Sequence, residues 1–272
     1  MTDQAKAWHA ERLVIGFVPT MGFLHAGHTS LMDALRPHCD KLVVSIYVNP
    51  LQFAPGEDLA VYPRDPEGDT AKCKAHGVDA LFMPPDLYPD GFSTHVSVNG
   101  LTDTLCGASR PDHFEGVTTV VARLMGVTRA DLACFGEKDF QQLMVIRRMV
   151  RDLALPVRIV PGPLVRDDDG LALSSRNVRL TAEQRHRALS LHRALFAMSK
   201  AAKAGELNAA ALIELGNSAV DCDRLDYLEL VDAESLRSID NVRGPARALV
   251  AGYYGSTRLI DNIAVGPELT WT

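Results

Sequence analysis

Residues 13–28 read LVIGFVPTMGFLHAGH. Residues 13–19 are a short, mostly apolar run closed by a proline, the pattern of a buried strand. Residues 20–28 are a glycine-containing turn, and beyond His28 the residues Leu31, Met32 and Leu35 recur at helical spacing until Pro37. Gly22 and Gly27 let the backbone approach a ligand closely. The first N–H groups and the positive dipole of a helix attract phosphate. His25 and His28 can donate to oxygens that gain charge in a transition state. Two plainer readings stand beside this one: a helix start that merely contains histidines, or an i, i+3 metal pair, which lacks a third ligand nearby.

Working outward, residues 41–48 (KLVVSIYV), 79–83 (DALFM), 131–135 (DLACF) and 157–160 read as further buried strands. Residues 66–76 form a polar helix ending at Gly77, residues 116–125 (GVTTVVARLM) a helix by their flanks, and residues 95–98 a short extended piece. Residues 140–153 form a helix with Leu143, Ile146, Val150 and Leu153 on one face. Strands alternating with helices imply α/β architecture, a parallel sheet covered on both faces. Ligands of such sheets bind outside the carboxyl ends of the strands. Polar motifs follow the first, second and fourth strands.

The pattern changes near residues 161–164. Thr181 and Gln184 make a capping box that starts a long helix to about Ala204. A helix to about Ala219 follows, then strand-like runs at 225–231, 247–254 and 258–265. The chain divides into a first domain over 1–164 and a smaller α+β domain over 165–272.

Composition narrows the function. The 272 residues suit nearly two domains, and 47% hydrophobic with 23% charged residues describes a globular chain, not a disordered one. A net charge of −6 opposes a nucleic-acid binder, which needs a basic field. No apolar run approaches the ~18 residues of a membrane span. The N-terminus has no apolar leader, and the five cysteines show no CxxC spacing. A cytoplasmic protein with no membrane and no nucleic-acid partner is expected. Only 7 of the 28 basic residues are lysines, so each lysine is worth locating.

One of them, Lys138, lies in FGEKDFQQ (135–142), again between strand and helix, where an ammonium suits phosphate oxygens. Gln142 follows one turn later and can face the same way. VNPLQF (48–53) offers Asn49 and Gln52 to hydroxyls and carboxylates. LSSRN (173–177) is a donor-rich loop, and RPDHFEGV (110–117) sets a cation and a histidine beside a glycine. Each motif alone also reads as an ordinary polar loop or helix start.

Together, PTMGFLHAGH, VNPLQF, YPRD, RPDHFEGVTTVV, FGEKDFQQ, GLALSSRN and TRLIDNI resemble the pantothenate synthetase (pantoate–β-alanine ligase) family in order and spacing along nearly the whole chain. The resemblance implies a Rossmann-like nucleotidyltransferase domain of the HxGH type followed by a smaller α+β lid domain, and usually a homodimer. It implies ATP-dependent condensation of (R)-pantoate with β-alanine through a pantoyl-adenylate, with magnesium accompanying ATP. Carried over by position, Met21, Gly22, Phe23, Leu24, His25, Ala26, Gly27 and His28 make the first ATP stretch, and Gly136, Glu137, Lys138 and Asp139 the second. Val165, Leu173, Ser174, Ser175 and Arg176 contact the nucleotide from the C-terminal domain. His28, His25 and Lys138 are the catalytic candidates. Gln52, Gln142 and Asn49 hold pantoate, Gln52 also neighbours β-alanine, and Asp69 is linked to the metal. Arg110 and His113 are candidates for the β-alanine carboxylate.

Three positions depart from the family pattern. Asp112 replaces a common glycine, Gly68 a common acid, and Phe23 a common alanine. Two other classes share parts of the pattern. An HxGH adenylyltransferase would lack the paired VNPLQF and FGEKDFQQ segments. An ATP sensor that had lost catalysis would not need His25, His28, Lys138 and Arg176 intact.

Overall fold

The structure is a computed structural model that describes residues 1–57, 59–267 and 269. It comprises two compact units, Met1–Glu137 with Gln141–Leu164, and Lys138–Phe140 with Val165–Thr272. The cut near residue 164 is accompanied by an exchange: three residues around Lys138, expected in the first unit, group with the second.

In the first unit, helix α1 (Thr2–Ala10) precedes strand β1 (Ile15–Thr20), helix α2 (Ala26–Leu35), β2 (Lys41–Ile46), α3 (Pro66–Ala75), β3 (Ala80–Phe82), α4 (Leu105–Ser109), α5 (His113–Thr128), β4 (Leu132–Gly136), α6 (Phe140–Asp152, whose first residue groups with the second unit) and β5 (Arg158–Gly162). The strands form one sheet in the order β3-β2-β1-β4-β5, and every pair is parallel. Val18, Leu42, Val44, Leu132 and Cys134 pack with Leu31, Met32 and Leu35 of α2. Phe17, Val43 and Ala133, one residue out of phase, face the other way and are fully buried too. This is why the strands read as continuous apolar runs. Chain order reverses between β1 and β4, and in such sheets that switch point is where ligands bind.

The expected extended piece at 95–98 joins no sheet. The Val96 N–H donates instead to Thr119 Oγ1 of α5 at 3.0 Å. Helix α5 starts at Asp112, whose φ of 62° is left-handed. Asp is among the few side chains that tolerate this conformation, so it fills a position where the resembling family has glycine. Gly116 answers a different need, since a Cβ there would lie 2.3 Å from the Leu51 carbonyl oxygen.

In the second unit, α7 (Ala182–Lys203) begins at the Thr181/Gln184 capping box, as expected. It packs with α8 (Ala209–Ala219) on an antiparallel sheet of β6 (Arg224–Asp232), β7 (Ala246–Tyr254) and β8 (Thr257–Val265). Leu191, Leu195, Met198, Leu212, Leu230, Val250 and Tyr254 fill the core between them.

Asp79 ties β2 to β3 by a charge. Its Oδ2 accepts the Leu42 N–H at 2.7 Å and Arg36 Nη1 at 2.6 Å. Burial pushes this carboxyl up, but the backbone N–H and the guanidinium outweigh it and hold it below the usual range. The stabilisation is therefore complete above the unfolded value near 4 and lost as pH falls through the lower folded value. Asp79→Ala is expected to cost about 2 kcal/mol in urea denaturation at neutral pH, and the difference from the parent protein should shrink below about pH 4.

Candidate active site

The turn after β1 is held by a carboxylate from α3. Gly22 has φ +83°, and a Cβ there would meet Ile46 Cγ2 at 2.9 Å. Phe23 follows with φ 52°, a strained value for a large side chain. Asp69 holds the turn at Phe23 and Leu24. Its Oδ2 accepts the Phe23 N–H at 2.8 Å and its Oδ1 the Leu24 N–H at 2.7 Å. The residue is buried, and these charge-assisted bonds satisfy N–H groups that would otherwise be orphaned.

The turn delivers the two histidines as a capping box. The Gly27 N–H donates to His25 Nδ1 at 3.1 Å, and the His25 N–H donates to His28 Nδ1 at 3.3 Å. The rings lie 4.1 Å apart. A nitrogen that accepts from the backbone carries no proton, so in each neutral ring Nε2 is the protonated nitrogen. The start of α2 thus combines a helix dipole with two imidazole N–H donors, a site suited to phosphate oxygens.

After β2, two buried amides are oriented by hydrogen bonds, the Gly116 carbonyl being able only to accept. Burial pushes the Tyr88 hydroxyl well above its ordinary value, so it stays protonated and donates to Asn49 Oδ1 at 2.8 Å. Asn49 Nδ2 then donates to the Gly116 carbonyl at 3.0 Å and to Gln52 Oε1 at 3.2 Å. Gln52 Nε2 in turn faces Met21 Sδ at 3.1 Å. The Gln52 main chain is clamped as well. Its carbonyl accepts from Arg110 Nη2 at 3.3 Å and from His113 Nδ1 at 2.8 Å. Arg110 also pairs with both carboxylate oxygens of Glu57, at 2.9 and 2.6 Å. Burial pushes Glu57 up, but the Arg110 hydrogen bonds pull it below the ordinary range. Arg110 and His113 therefore hold the Gln52 main chain.

The loop after β4 runs through Gly136 into a single 3-10 turn, Glu137–Asp139. Lys138 sits in that turn, not on α6, with Nζ 3.5 Å from Asp139 Oδ1. The two glutamines that follow have different jobs. Gln141 is buried and structural, accepting the Cys106 N–H and donating to the Leu101 and Thr104 carbonyls. Gln142 is half-buried.

Within the second unit, the Leu173 N–H donates to the Val165 carbonyl at 3.0 Å. Ser174 caps the 3-10 turn Ser175–Arg179, its Oγ accepting the Arg176 N–H at 3.2 Å. Sequence reasoning missed Tyr88 and Glu57, neither of which carries a spacing signal toward its partner.

Asp69 was expected beside a metal. Among the described residues no three His, Cys, Asp or Glu side chains converge to hold one, and the Asp69 oxygens hold the turn. A magnesium ion that arrives with ATP needs one or two carboxylates besides phosphate oxygens and waters, not such a cluster. Asp69→Asn keeps the size but replaces one acceptor with a donor, facing it against a backbone N–H. It should cost about 1–3 kcal/mol of stability, measured by urea denaturation.

The family model of pantoate-β-alanine ligase matches residues 1–264. A pantothenate synthetase of Moorella thermoacetica is 51% identical over 258 residues, 93% of this chain and 91% of that one. The crystal structure of pantothenate synthetase from Thermus thermophilus has a TM-score of 0.92 at 49% identity, over 97% of this chain and 98% of that chain. That of pantoate-β-alanine ligase from Francisella tularensis, complexed with β,γ-ATP and β-alanine, has a TM-score of 0.77 at 34% identity, over 95% of each chain. With its sheet order, its imidazole-capped helix and these likenesses along nearly its whole length, the chain belongs to the pantoate–β-alanine ligase family.

Proposed function

We propose that the residues gathered at the strand ends carry out the family reaction, in which ATP and (R)-pantoate give pantoyl-adenylate and pyrophosphate, and β-alanine then displaces AMP to form pantothenate. The observation that carries the assignment of roles is the start of α2, where the His25 and His28 rings, each with Nδ1 on a backbone N–H, stand at a positive helix end after β1.

No protein nucleophile is needed. A pantoate carboxylate oxygen attacks the α-phosphorus, and the bond to the β-phosphate bridging oxygen breaks as pyrophosphate leaves. In the second step the β-alanine amine attacks the acyl carbon, the acyl–phosphate bond breaks, and the amine loses a proton. The protein positions the reactants and stabilises charge. His25, His28 and Lys138 donate to phosphate oxygens whose charge grows in the first step. Met21, Gly22, Phe23, Leu24, Ala26 and Gly27 line the approach, with Gly136, Glu137 and Asp139 beside Lys138. By the family resemblance, Val165, Leu173, Ser174, Ser175 and Arg176 are further nucleotide contacts.

Gln52, Asn49 and Gln142 select pantoate, and Gln52 also neighbours β-alanine. A fixed buried amide discriminates strongly, because an analogue lacking a hydroxyl leaves it unpaired. Magnesium enters with ATP as part of the substrate, and no step is assigned to a protein-held ion. No helix among the described residues is long and apolar enough to cross a membrane. The cytoplasmic location and homodimeric state implied by the family resemblance complete the proposal.

Release of AMP from ATP should require both pantoate and β-alanine, and AMP release with either one omitted would refute the reaction. Lys138→Ala should lower pantoate-dependent ATP–pyrophosphate exchange by about 10²–10³-fold, as for the loss of one charge-stabilising donor; near-normal exchange would remove Lys138 from the chemistry. Gln142→Ala should raise the KM for pantoate by about tenfold or more, in line with one lost hydrogen bond, and leave that for ATP little changed.

A further inference from the structure

Asp261 and Asn262 are adjacent on β8, and both are buried. Each holds a segment distant in sequence, and both segments belong to the second unit. Asp261 grips Arg166 with two hydrogen bonds, Oδ2 to Nη1 at 2.7 Å and Oδ1 to Nη2 at 2.9 Å. Arg166 Nη1 also donates to the Gly170 carbonyl at 3.0 Å, and residue 166 bridges Ala172. The pair thereby pins the short hairpin that sets Val165 beside Leu173.

Asn262 works on Lys138. Its Nδ2 donates to the Lys138 carbonyl at 2.9 Å, and its Oδ1 accepts from Arg247 Nε at 2.7 Å. Arg247 lies diagonally across from Asn262, on the neighbouring strand β7. Its guanidinium covers the Phe140 ring at 4.3 Å, and both residues are buried. The direction of the amide follows from chemistry. Arginine only donates and a carbonyl only accepts, so Oδ1 must face Arg247 and Nδ2 must face Lys138. Arg247 thus holds the residue two places beyond Lys138 through its ring and the Lys138 backbone through Asn262.

We propose that Asn262, oriented by Arg247, is a positioning residue for Lys138. It acts through the main chain and touches no reacting atom. By fixing the Lys138 carbonyl it sets where the ammonium can reach, while its neighbour Asp261 fixes the hairpin that carries Val165. The proposal rests on the assignment of Lys138 to phosphate charge.

The test is a double-mutant cycle read by pantoate-dependent ATP–pyrophosphate exchange with Lys138→Ala, Asn262→Ala and the double variant. Asn262→Ala should lower kcat about ten- to a hundredfold, the scale of a small misplacement, and leave the KM for pantoate within about twofold of the parent value. On the Lys138→Ala background the same change should cost no more than about twofold, because the group it positions is gone. Asn262→Asp keeps the shape and the acceptor for Arg247 but loses the donor. It should reproduce both results and serves as the comparison if Asn262→Ala fails to fold. A full tenfold loss on both backgrounds, or an unchanged kcat in either single Asn262 variant, would overturn the proposal. Near-normal exchange in Lys138→Ala would instead overturn the reading of Lys138, and the positioning role with it.

Discussion

The grip of the Asp69 carboxylate on the Phe23 and Leu24 N–H groups is the constraint on which the first unit's site depends. The chain leaves β1 through two residues with positive φ, a conformation costing about 1–2 kcal/mol for a residue such as phenylalanine. A buried negative charge with two backbone donors offsets that cost. The geometry continues forward. Leu24 leads into His25, whose ring caps α2, and the ring of His28 caps the His25 N–H in return. One carboxylate on α3 therefore fixes the orientation of two imidazoles on another element.

A second regularity concerns carboxamides. Asn49 and Asn262 lie in different units, yet both are oriented in the same way. Each has its NH₂ fixed by a carbonyl that only accepts, so its oxygen turns to a donor, the Tyr88 hydroxyl for Asn49 and Arg247 for Asn262. The carbonyls are those of Gly116 and Lys138. An amide that cannot flip defines direction as well as place, which a hydroxyl free to rotate would not. For Gln52 this direction passes on one step further, since accepting at Oε1 turns Nε2 toward Met21.

Much of this fold was legible because its signals are local. The five parallel strands are apolar runs, α7 announces itself by Thr181 and Gln184, and the glycine turns mark where β1 and β4 end. Helix α1 escaped notice because it is short and mostly polar, with only Ala5 and Trp8 buried. The histidine-capped turn after β1 was also readable, since both histidines lie within four residues. Its supports were not. Tyr88 acts 39 residues from Asn49, Glu57 acts 53 residues from Arg110, and Asn262 acts 124 residues from Lys138. Asp69 stood out only through the family resemblance, and its partners are backbone N–H groups, which sequence does not distinguish.

The grouping of Lys138–Phe140 with the second unit bears on how such a protein can be taken apart. Two units joined end to end can be separated by cutting one peptide bond, and recombination can exchange them as modules. Here a cut after Leu164 would leave Lys138 and Phe140 on the first fragment and their cover, Asn262 and Arg247, on the second. The first fragment would carry Phe140 without the Arg247 guanidinium and the Lys138 carbonyl without Asn262. The two halves are therefore interleaved in sequence by three residues, and a boundary drawn at one point of the chain does not separate them.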